Sequence, residues 1–553
     1  MRSVTKKEWV LVLAVFAIGV FFRFYQLPAI PPGLYPDEAT NGNNALEALA
    51  TGDFKVFYPE NNGREGLFIN IQAFSVHLFG NTPWALRAVS ALFGSLTVLG
   101  VWLLSRELFR DRAIRGKYKE LWTVYAPLAS AFFIATGFWH VNFSRIGFRA
   151  IMIPFLLSFG LYWLLKGLRT GKISSMLAAG IMMGAGFHTY IAFRFVPFIL
   201  IIPLGWYLWQ WLKKNTSIAN NCIPCSIAFF LFITFITALP IGWYFLNHPE
   251  DFLGRGGQVS IFEAERPLYE FLRSNALTLG MFNVHGDCNP RHNFACLPEL
   301  FFPVGIFFLI GVASVLKGLF RKASEHRLPS LVLFFWFFFM LFPTTLTREG
   351  LPHALRAIGL LPAAYILAGL GCGIIWKQVA ERIQQWLANP AYEAYRHQLH
   401  RIQKECAIVL LLILAATGLW GYKTYFIRFA NAPATYFAFS ADMTEMGGYL
   451  AALPRETKKY VIVNLGGTDI RGLPTPSQTV MFMTDTFRRD RQIKENMTYL
   501  LPDELSQINT RDATIAVIPL NPSDRTLTDA IKLRLPEFRP YVPGTFLVFT
   551  KGL

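Results

Sequence analysis

The sequence is short of charge. Only 16% of its 553 residues are Asp, Glu, Lys or Arg, where a soluble domain carries about 25%. A single water-soluble globule is excluded on that ground. The phosphate-cradling G-x-x-x-x-G-K-[ST], the zinc-binding H-E-x-x-H and the nucleophile-bearing G-x-S-x-G are all missing, so nucleotide hydrolysis, zincin proteolysis and serine-esterase chemistry have no support. The middles of the apolar runs hold almost no charge, and Arg23 and Arg87 fall near run ends. Coupled transporters keep ionisable groups at mid-membrane, which argues against one. Cysteines are few and scattered. Cys222 and Cys225 form a lone C-x-x-C, two ligands short of a structural zinc site. Cys288 and Cys296 share a polar loop, where a disulfide persists in an oxidising compartment; the sequence leaves that pairing open.

What is present is apolar surface. Hydrophobic residues make up 53% and aromatics 16%, with a mean hydropathy of +0.36. They come in long runs such as Trp9 to Phe22, Ile223 to Phe245 and Ala407 to Leu419, and about 20 apolar residues span a bilayer as a helix. The first run follows Lys6 and Lys7 and lacks a small-x-small cleavage site, so it reads as a retained anchor. Eleven spans are expected, at 9–27, 83–104, 123–141, 150–167, 175–191, 195–212, 223–246, 300–316, 330–344, 355–376 and 407–426.

The net charge of +17 invites a nucleic-acid reading, which its distribution removes. Segments expected to face inward hold 23 cations and eight anions, an excess of 15. That is the positive-inside pattern. It implies a multi-pass protein of the plasma (inner) membrane with a cytoplasmic N-terminus, membrane lipids around it and no nucleic-acid partner. Segments 28–82, 142–149, around 192–194, 247–299, 345–354 and everything after 427 then face outward.

The expected architecture is an all-α polytopic membrane domain, residues 1–429, followed by a small soluble α/β domain outside, 430–553. Loop 28–82 is read as the catalytic outer loop. Its stretches Asp37 to Leu49 and Leu67 to Phe79 are expected as helices lying at the membrane interface. Beyond 430, strands are expected at Lys459 to Val463, Thr479 to Thr484, Thr514 to Pro519 and Thr545 to Thr550, with helices at Ala441 to Leu453 and Ser523 to Leu535.

Polar groups gather in the outward segments. Tyr35-Pro36-Asp37-Glu38-Ala39 offers a carboxylate able to take a proton from an attacking hydroxyl or amine; Asp37 after Pro36 is equally suited to capping a helix. Glu60-Asn61-Asn62-Gly63-Arg64-Glu65-Gly66 is either a charged turn aimed at a ligand or an exposed one. Arg145, Arg149, Arg194 and Arg356 sit in short outward turns, where insertion does not require cations. An arginine fork suits phosphate, although some arginines snorkel to headgroups. Tyr190, Phe193 and Trp139 can stack on a sugar or simply pack. His285, Asp287 and His292 share one loop that closes over the site or, less readily, holds a divalent metal; no other cofactor is implied.

The order of these motifs resembles a known class. Tyr-Pro-Asp-Glu-Ala at 35–39, Arg64-Glu65-Gly66, a helix ending Leu78-Phe79-Gly80 and Trp84-Ala85-Leu86-Arg87-Ala88 are similar to the polyprenyl-phosphate-sugar-dependent glycosyltransferases of the GT-C fold. The nearest are prokaryotic relatives of protein O-mannosyltransferases and aminoarabinose transferases, in glycosyltransferase family 39. The stretches Arg145 to Arg149, Thr189 to Arg194 and Pro352 to Arg356 add to the likeness, which covers residues 5 to 420. The resemblance implies Asp37 as the catalytic base, Glu38 as its neighbour and Glu65 at the second acidic position. Gly66 and Leu67 stand where some members have Lys-Pro, and segment 142–149 lacks an acidic residue found in others.

The function expected is transfer of a monosaccharide, with inversion, from a polyprenyl-phosphate donor to a protein, lipid or glycan acceptor on the outer face. Asp37, Glu38 and Glu65 are the expected catalytic residues. Arg64, Arg145, Arg149, Tyr190, Arg194, His353 and Arg356 are expected to bind substrate, without a metal. The alternatives are a lipid-linked-sugar flippase and a glycan ligase using a pyrophosphate donor.

Overall fold

The computed structural model describes residues 5–110, 120–214, 222–252, 261–321 and 324–553. Arg2, Asp111, Arg112, Arg115, Lys117, Lys119 and Lys322, all counted in the inward-facing charge, lie outside them, as does 253–260 of the loop 247–299. The chain opens with α1 (Lys6–Phe24), whose start is fixed by a reciprocal cap between Thr5 and Glu8. The long loop after it holds α2 (Pro36–Thr51), a ribbon of β1 (Phe57–Tyr58) and β2 (Arg64–Glu65), and α3 (Gly66–Phe79). Then follow α4 (Pro83–Leu108), α5 (Ala126–Thr136), the short α6 (Phe138–Phe143), α7 (Met152–Thr170), α8 (Ile173–Gly186), α9 (Val196–Leu212) and α10 (Ile223–Asn247). After α11 (Pro267–Gly280), the bundle is completed by α12 (Phe302–Leu319), α13 (Ser324–Thr345), α14 (Leu361–Ala388) and α15 (Arg396–Tyr422).

Helices stand at all eleven expected spans, and among the described residues eight are long and apolar enough to cross a bilayer. Helix α14 is the axle, with 89% of its apolar window buried, whereas α10 and α15 bury only 11% and form the rim. Glycines let the axle pack closely. A β-carbon on Gly371 would overlap the Phe307 carbonyl of α12, and one on Gly369 would overlap Ser130 of α5. Small residues are the usual means of close helix approach in a membrane, where lipid tails are as apolar as leucine.

The six segments expected to face outward meet at one end of the bundle. Asn41 donates to the Gly147 carbonyl at 3.2 Å, Asn142 to that of Arg291 at 2.7 Å, and Arg194 to that of Phe252 at 2.7 Å. The Ala354 amide reaches Asp287 at 2.8 Å, and the Leu34 amide reaches Thr444 at 2.8 Å. Helix α3 turns Phe74, Leu78 and Phe79 outward, as an interfacial helix should. Helix α2 does not. It is sandwiched between α3 and the C-terminal part, and its Asn41, Asn43 and Asn44 are buried. Its asparagines have protein partners there: Asn43 binds Gln478 at 3.0 Å and Asn44 binds Glu60 at 3.0 Å.

Beyond the bundle come α16 (Pro433–Ala438), α17 (Ala441–Ala452), β3 (Lys458–Ile462), a hairpin of β4 (Asp469–Ile470) and β5 (Leu473–Pro474), and α18 (Ser477–Thr484). The chain ends with α19 (Arg489–Lys494), β6 (Met497–Leu500), β7 (Ile515–Pro519), α20 (Arg525–Arg534), β8 (Arg539–Tyr541) and β9 (Val548–Lys551). Five strands form one sheet in the order β6-β3-β7-β9-β8, parallel over the first three and antiparallel at β9 and β8. Residues 479–484, expected as a strand, are helical. Short apolar runs do not distinguish the two states. Here Thr479 bonds the Leu34 carbonyl at 3.0 Å, and Phe482 is buried with Leu34 and Leu86, so packing on the bundle decides.

Candidate active site

Two carboxylates begin α2, where the helix dipole favours negative charge. Being adjacent on a helix they point about 100° apart, and the surroundings split their roles. Asp37 is half-buried and lines a polar cavity of about 490 Å³. Its Oδ1 accepts from Asn61 Nδ2 at 2.8 Å. Asn61 and Asn62 both have left-handed backbone, φ +51° and +61°, a conformation asparagine tolerates better than most residues.

Glu38 faces the other way, is fully buried and does not line the cavity. Arg87 grips both its oxygens, at 2.9 and 3.0 Å, and the Gly147 amide donates to Oε2 at 2.7 Å. Arg87 also donates to the carbonyls of Pro31 and Gly33, at 2.6 and 2.7 Å. Glu38 therefore ties α2, α4 and the 142–149 turn together, away from the cavity that Asp37 lines.

Arg64 and Arg149 line the same cavity as Asp37. Arg64 is buried, with its fork on Asn41 at 2.8 Å and on Asn44; burial first, then the nearby Arg149 guanidinium, bring its pKa down to about 10. Arg149 pairs with Glu65 at 2.7 Å and lies 5.4 Å over the Tyr190 ring. Tyr190 lines both this cavity and a second, apolar groove of about 550 Å³. That groove runs along Phe193, Ile241, Phe245 and Phe252, with Glu65 and Arg194 at its polar margin. Arg194 lies 3.9 Å over the Phe252 ring.

Three expected substrate-binding residues are directed elsewhere. Arg145 is buried beneath the chain leaving α1, donating to the Phe22 and Ile30 carbonyls at 3.1 and 2.9 Å and lying 5.0 Å over Phe426. A cation that sequence gives to the outer surface is thus spent on closing backbone carbonyls. His353 sits with its ring 4.8 Å from His292, and Arg356 binds Thr347 at 2.7 Å. Neither lines the cavity, although Leu355 between them does.

Asp287, His292 and His353 come within 4.8 Å of one another. Asp287 already accepts from His292 at 2.8 Å, from the Ala354 amide at 2.8 Å and from the Asn289 amide at 2.8 Å, which braces the loop 283–293 against 354. Cys288 and Cys296 are joined by a disulfide, and so are Cys222 and Cys225.

From the sequence, Tyr35, Asn61 and Asn62 stand only inside candidate motifs with no role of their own, and Asn41, Ser440, Thr468 and Thr475 stand in none; all seven line the cavity. A signal existed. Asparagine is a poor helix former, yet Asn41, Asn43 and Asn44 lie inside a helical stretch. The contribution of residues 440–476 had no such sign.

Close by, Glu299 is fully buried, with one oxygen on the Asp287 amide at 3.2 Å and the other unpartnered. Burial raises its pKa well above the usual carboxylate range. The folded state then keeps a proton that the unfolded chain surrenders once pH passes the ordinary carboxylate pKa. Stability contributed at low pH is lost as pH rises, by up to about 1.4 kcal/mol per pH unit until the folded group ionises. Glu299→Gln is expected to flatten that decline, read as melting temperature between pH 5 and 9; an unchanged slope would refute it.

Residues 67–240 match the family described as dolichyl-phosphate-mannose-protein mannosyltransferase. The fold matches ArnT from Cupriavidus metallidurans in the apo state, with TM-score 0.55 and 14% identity over 98% of this chain and 97% of that one. It matches the same protein bound to undecaprenyl phosphate equally well, with TM-score 0.55 and 15% identity over 99% and 98%. At such identities the likeness is one of fold. No curated protein matches the sequence. The GT-C fold expected from the motif order is the fold found, and the chain is a multi-pass membrane protein.

Proposed function

We propose that this protein transfers a monosaccharide from a polyprenyl-phosphate donor to a protein, lipid or glycan acceptor on the extracytoplasmic face of the plasma membrane, with its N-terminus in the cytoplasm. One observation carries the reading. Asp37, Arg64 and Arg149 line a single polar cavity, and Tyr190 borders both that cavity and an apolar groove. A donor needs both surfaces at once, a groove for its lipid chain and cations for its phosphate. The family match names a dolichyl-phosphate mannose enzyme, and the similar ArnT fold has been solved with undecaprenyl phosphate bound.

In the proposed step Asp37 takes the proton of the acceptor hydroxyl or amine, whose lone pair attacks the anomeric carbon. The carbon–oxygen bond to phosphate breaks, and polyprenyl phosphate leaves with the electron pair, inverting the centre. Charge developing on phosphate is stabilised by guanidinium groups already in place, with Arg149 central and Arg194 on the groove side. The reading assigns no metal to this step. Incubating the purified protein with radiolabelled polyprenyl-phosphate monosaccharides tests it directly. Label leaving the lipid, with polyprenyl phosphate as coproduct, supports transfer. Lipid movement without cleavage indicates a flippase, and use of pyrophosphate donors alone indicates a ligase.

Arg149→Ala is expected to weaken undecaprenyl-phosphate binding by about 10- to 100-fold, the worth of one charge-assisted contact. Arg149→Lys should recover only part, because an ammonium lacks the fork. Titration of polyprenyl phosphate by native mass spectrometry reads the difference, and unchanged affinity in Arg149→Ala removes Arg149 from the clamp.

A further inference from the structure

The C-terminal part reaches into the cavity through one small element. The chain leaving β3 runs through Gly466, Gly467 and Thr468, turns in the β4–β5 hairpin and returns through Thr475 and Pro476; all five of these residues line the cavity together with Tyr190 and Arg149. The hairpin turn is Arg471-Gly472, with φ +57° and +85°, a tight two-residue turn that asks for left-handed backbone at both positions. Asn or Asp would sit there at less cost. Arginine occupies the place, and its side chain is fully engaged.

Arg471 spreads its fork over two carboxylates of the first outer loop. Both of its terminal nitrogens meet Glu47, at 2.8 and 2.7 Å, and Nε meets Glu60 at 2.7 Å. The Phe487 ring supports the guanidinium from one face at 4.3 Å. These groups are partly exposed, so their worth lies in geometry more than in stability. Glu60 leads inward. Its other oxygen holds Asn44 at 3.0 Å, Asn44 holds Arg64, and Arg64 holds Asn41 at 2.8 Å. The next residue along the chain, Asn61, holds Asp37 at 2.8 Å. Burial pushes the Glu60 carboxyl upward, but Asn44 and Arg471 outweigh it and keep it below the usual range, so the clasp is charged on both sides.

We infer that Arg471 is a positioning residue of the site: by clasping Glu47 and Glu60 it holds the 463–476 hairpin as a wall of the cavity and fixes the 60–64 turn from which Asn61 and Arg64 set Asp37. The C-terminal part is then a working half of the site. This rests on the reading of Asp37 as the base. The role differs from that of Arg149, because Arg471 lies outside the cavity lining and the groove.

The experiment uses the full chain in lipid nanodiscs with Arg471→Ala and Arg471→Lys. Label release from polyprenyl-phosphate monosaccharides, undecaprenyl-phosphate affinity, melting temperature and deuterium exchange over 57–66 are measured together. For Arg471→Ala, turnover is expected to fall about 10- to 100-fold through misplacement of the reacting groups. Undecaprenyl-phosphate affinity should stay within about twofold, the split that marks a loss confined to the reacting state. Exchange over 57–66 should rise at unchanged melting temperature, and Arg471→Lys should restore part of the turnover. Wild-type turnover and unchanged exchange in Arg471→Ala overturn the proposal, as does an equal loss of affinity and melting temperature, which denotes a general structural role. If the unaltered protein releases no label from any donor, the donor reading fails instead. Exchange over 57–66 then still decides whether the clasp holds the turn.

Discussion

Asp37→Asn is expected to lower label transfer by about 10²- to 10⁴-fold, the usual share of a general base, with no loss of melting temperature and no loss of undecaprenyl-phosphate affinity. The substitution is nearly isosteric, and asparagine keeps the oxygen that accepts from Asn61 at 2.8 Å, so the turn at 60–64 has no reason to move. It removes the ability to take the acceptor's proton as the acceptor attacks. Arg64 and Arg149, the proposed phosphate contacts, still line the same cavity. Turnover should therefore collapse while donor affinity stays level, the signature of an interaction made in the transition state alone. Full turnover in Asp37→Asn would strip the residue of its role.

The neighbouring carboxylate gives the opposite pattern. Glu38→Leu leaves Arg87 buried, 1% exposed, with its main counter-charge gone, and it strands the Gly147 amide. Removing one partner of a buried pair costs about 3–5 kcal/mol, enough to lower the melting temperature sharply and to reduce accumulation in the membrane. Arg87→Met should do the same. The double variant Glu38→Leu, Arg87→Met is expected to regain much of the loss, because a buried pair replaced by apolar groups of similar volume is often near neutral. If Glu38→Leu melts like the unaltered protein and loses only turnover, Glu38 belongs to the chemistry and its placement as a brace is wrong. Two adjacent acids thus separate by experiment, one through rate and one through stability.

Most of the fold was legible because a bilayer makes it so. A polar group in hydrocarbon must be satisfied within its own segment, so spans appear as apolar runs, and their order and charge flanks can be read along the chain. Of the residues expected from the sequence to form the site, Asp37, Arg64, Arg149 and Tyr190 line one cavity. Glu38 and Arg145, given site roles from the sequence, stand outside that cavity for a common reason. Each lies in a motif beside a cavity residue, yet its partner comes from far along the chain: Arg87 for Glu38, and the Phe22 and Ile30 carbonyls for Arg145. Arg471 was invisible for the converse reason, since nothing in a soluble-looking segment announces that its turn reaches Glu47 and Glu60.

The sequence by itself determined that this protein crosses a membrane many times, that its polar segments share one end of the bundle, and that a carboxylate and arginines lie among them. Those are properties of composition along a line, and hydrophobic transfer acts on each segment almost independently. Only the tertiary structure decided which acid faces the cavity, which arginines are spent on backbone carbonyls, that residues 479–484 coil into a helix, and that the C-terminal part walls the site. Helix phase and long-range partners make those choices, and a charge in a low-dielectric interior takes its role from the few groups within hydrogen-bond reach.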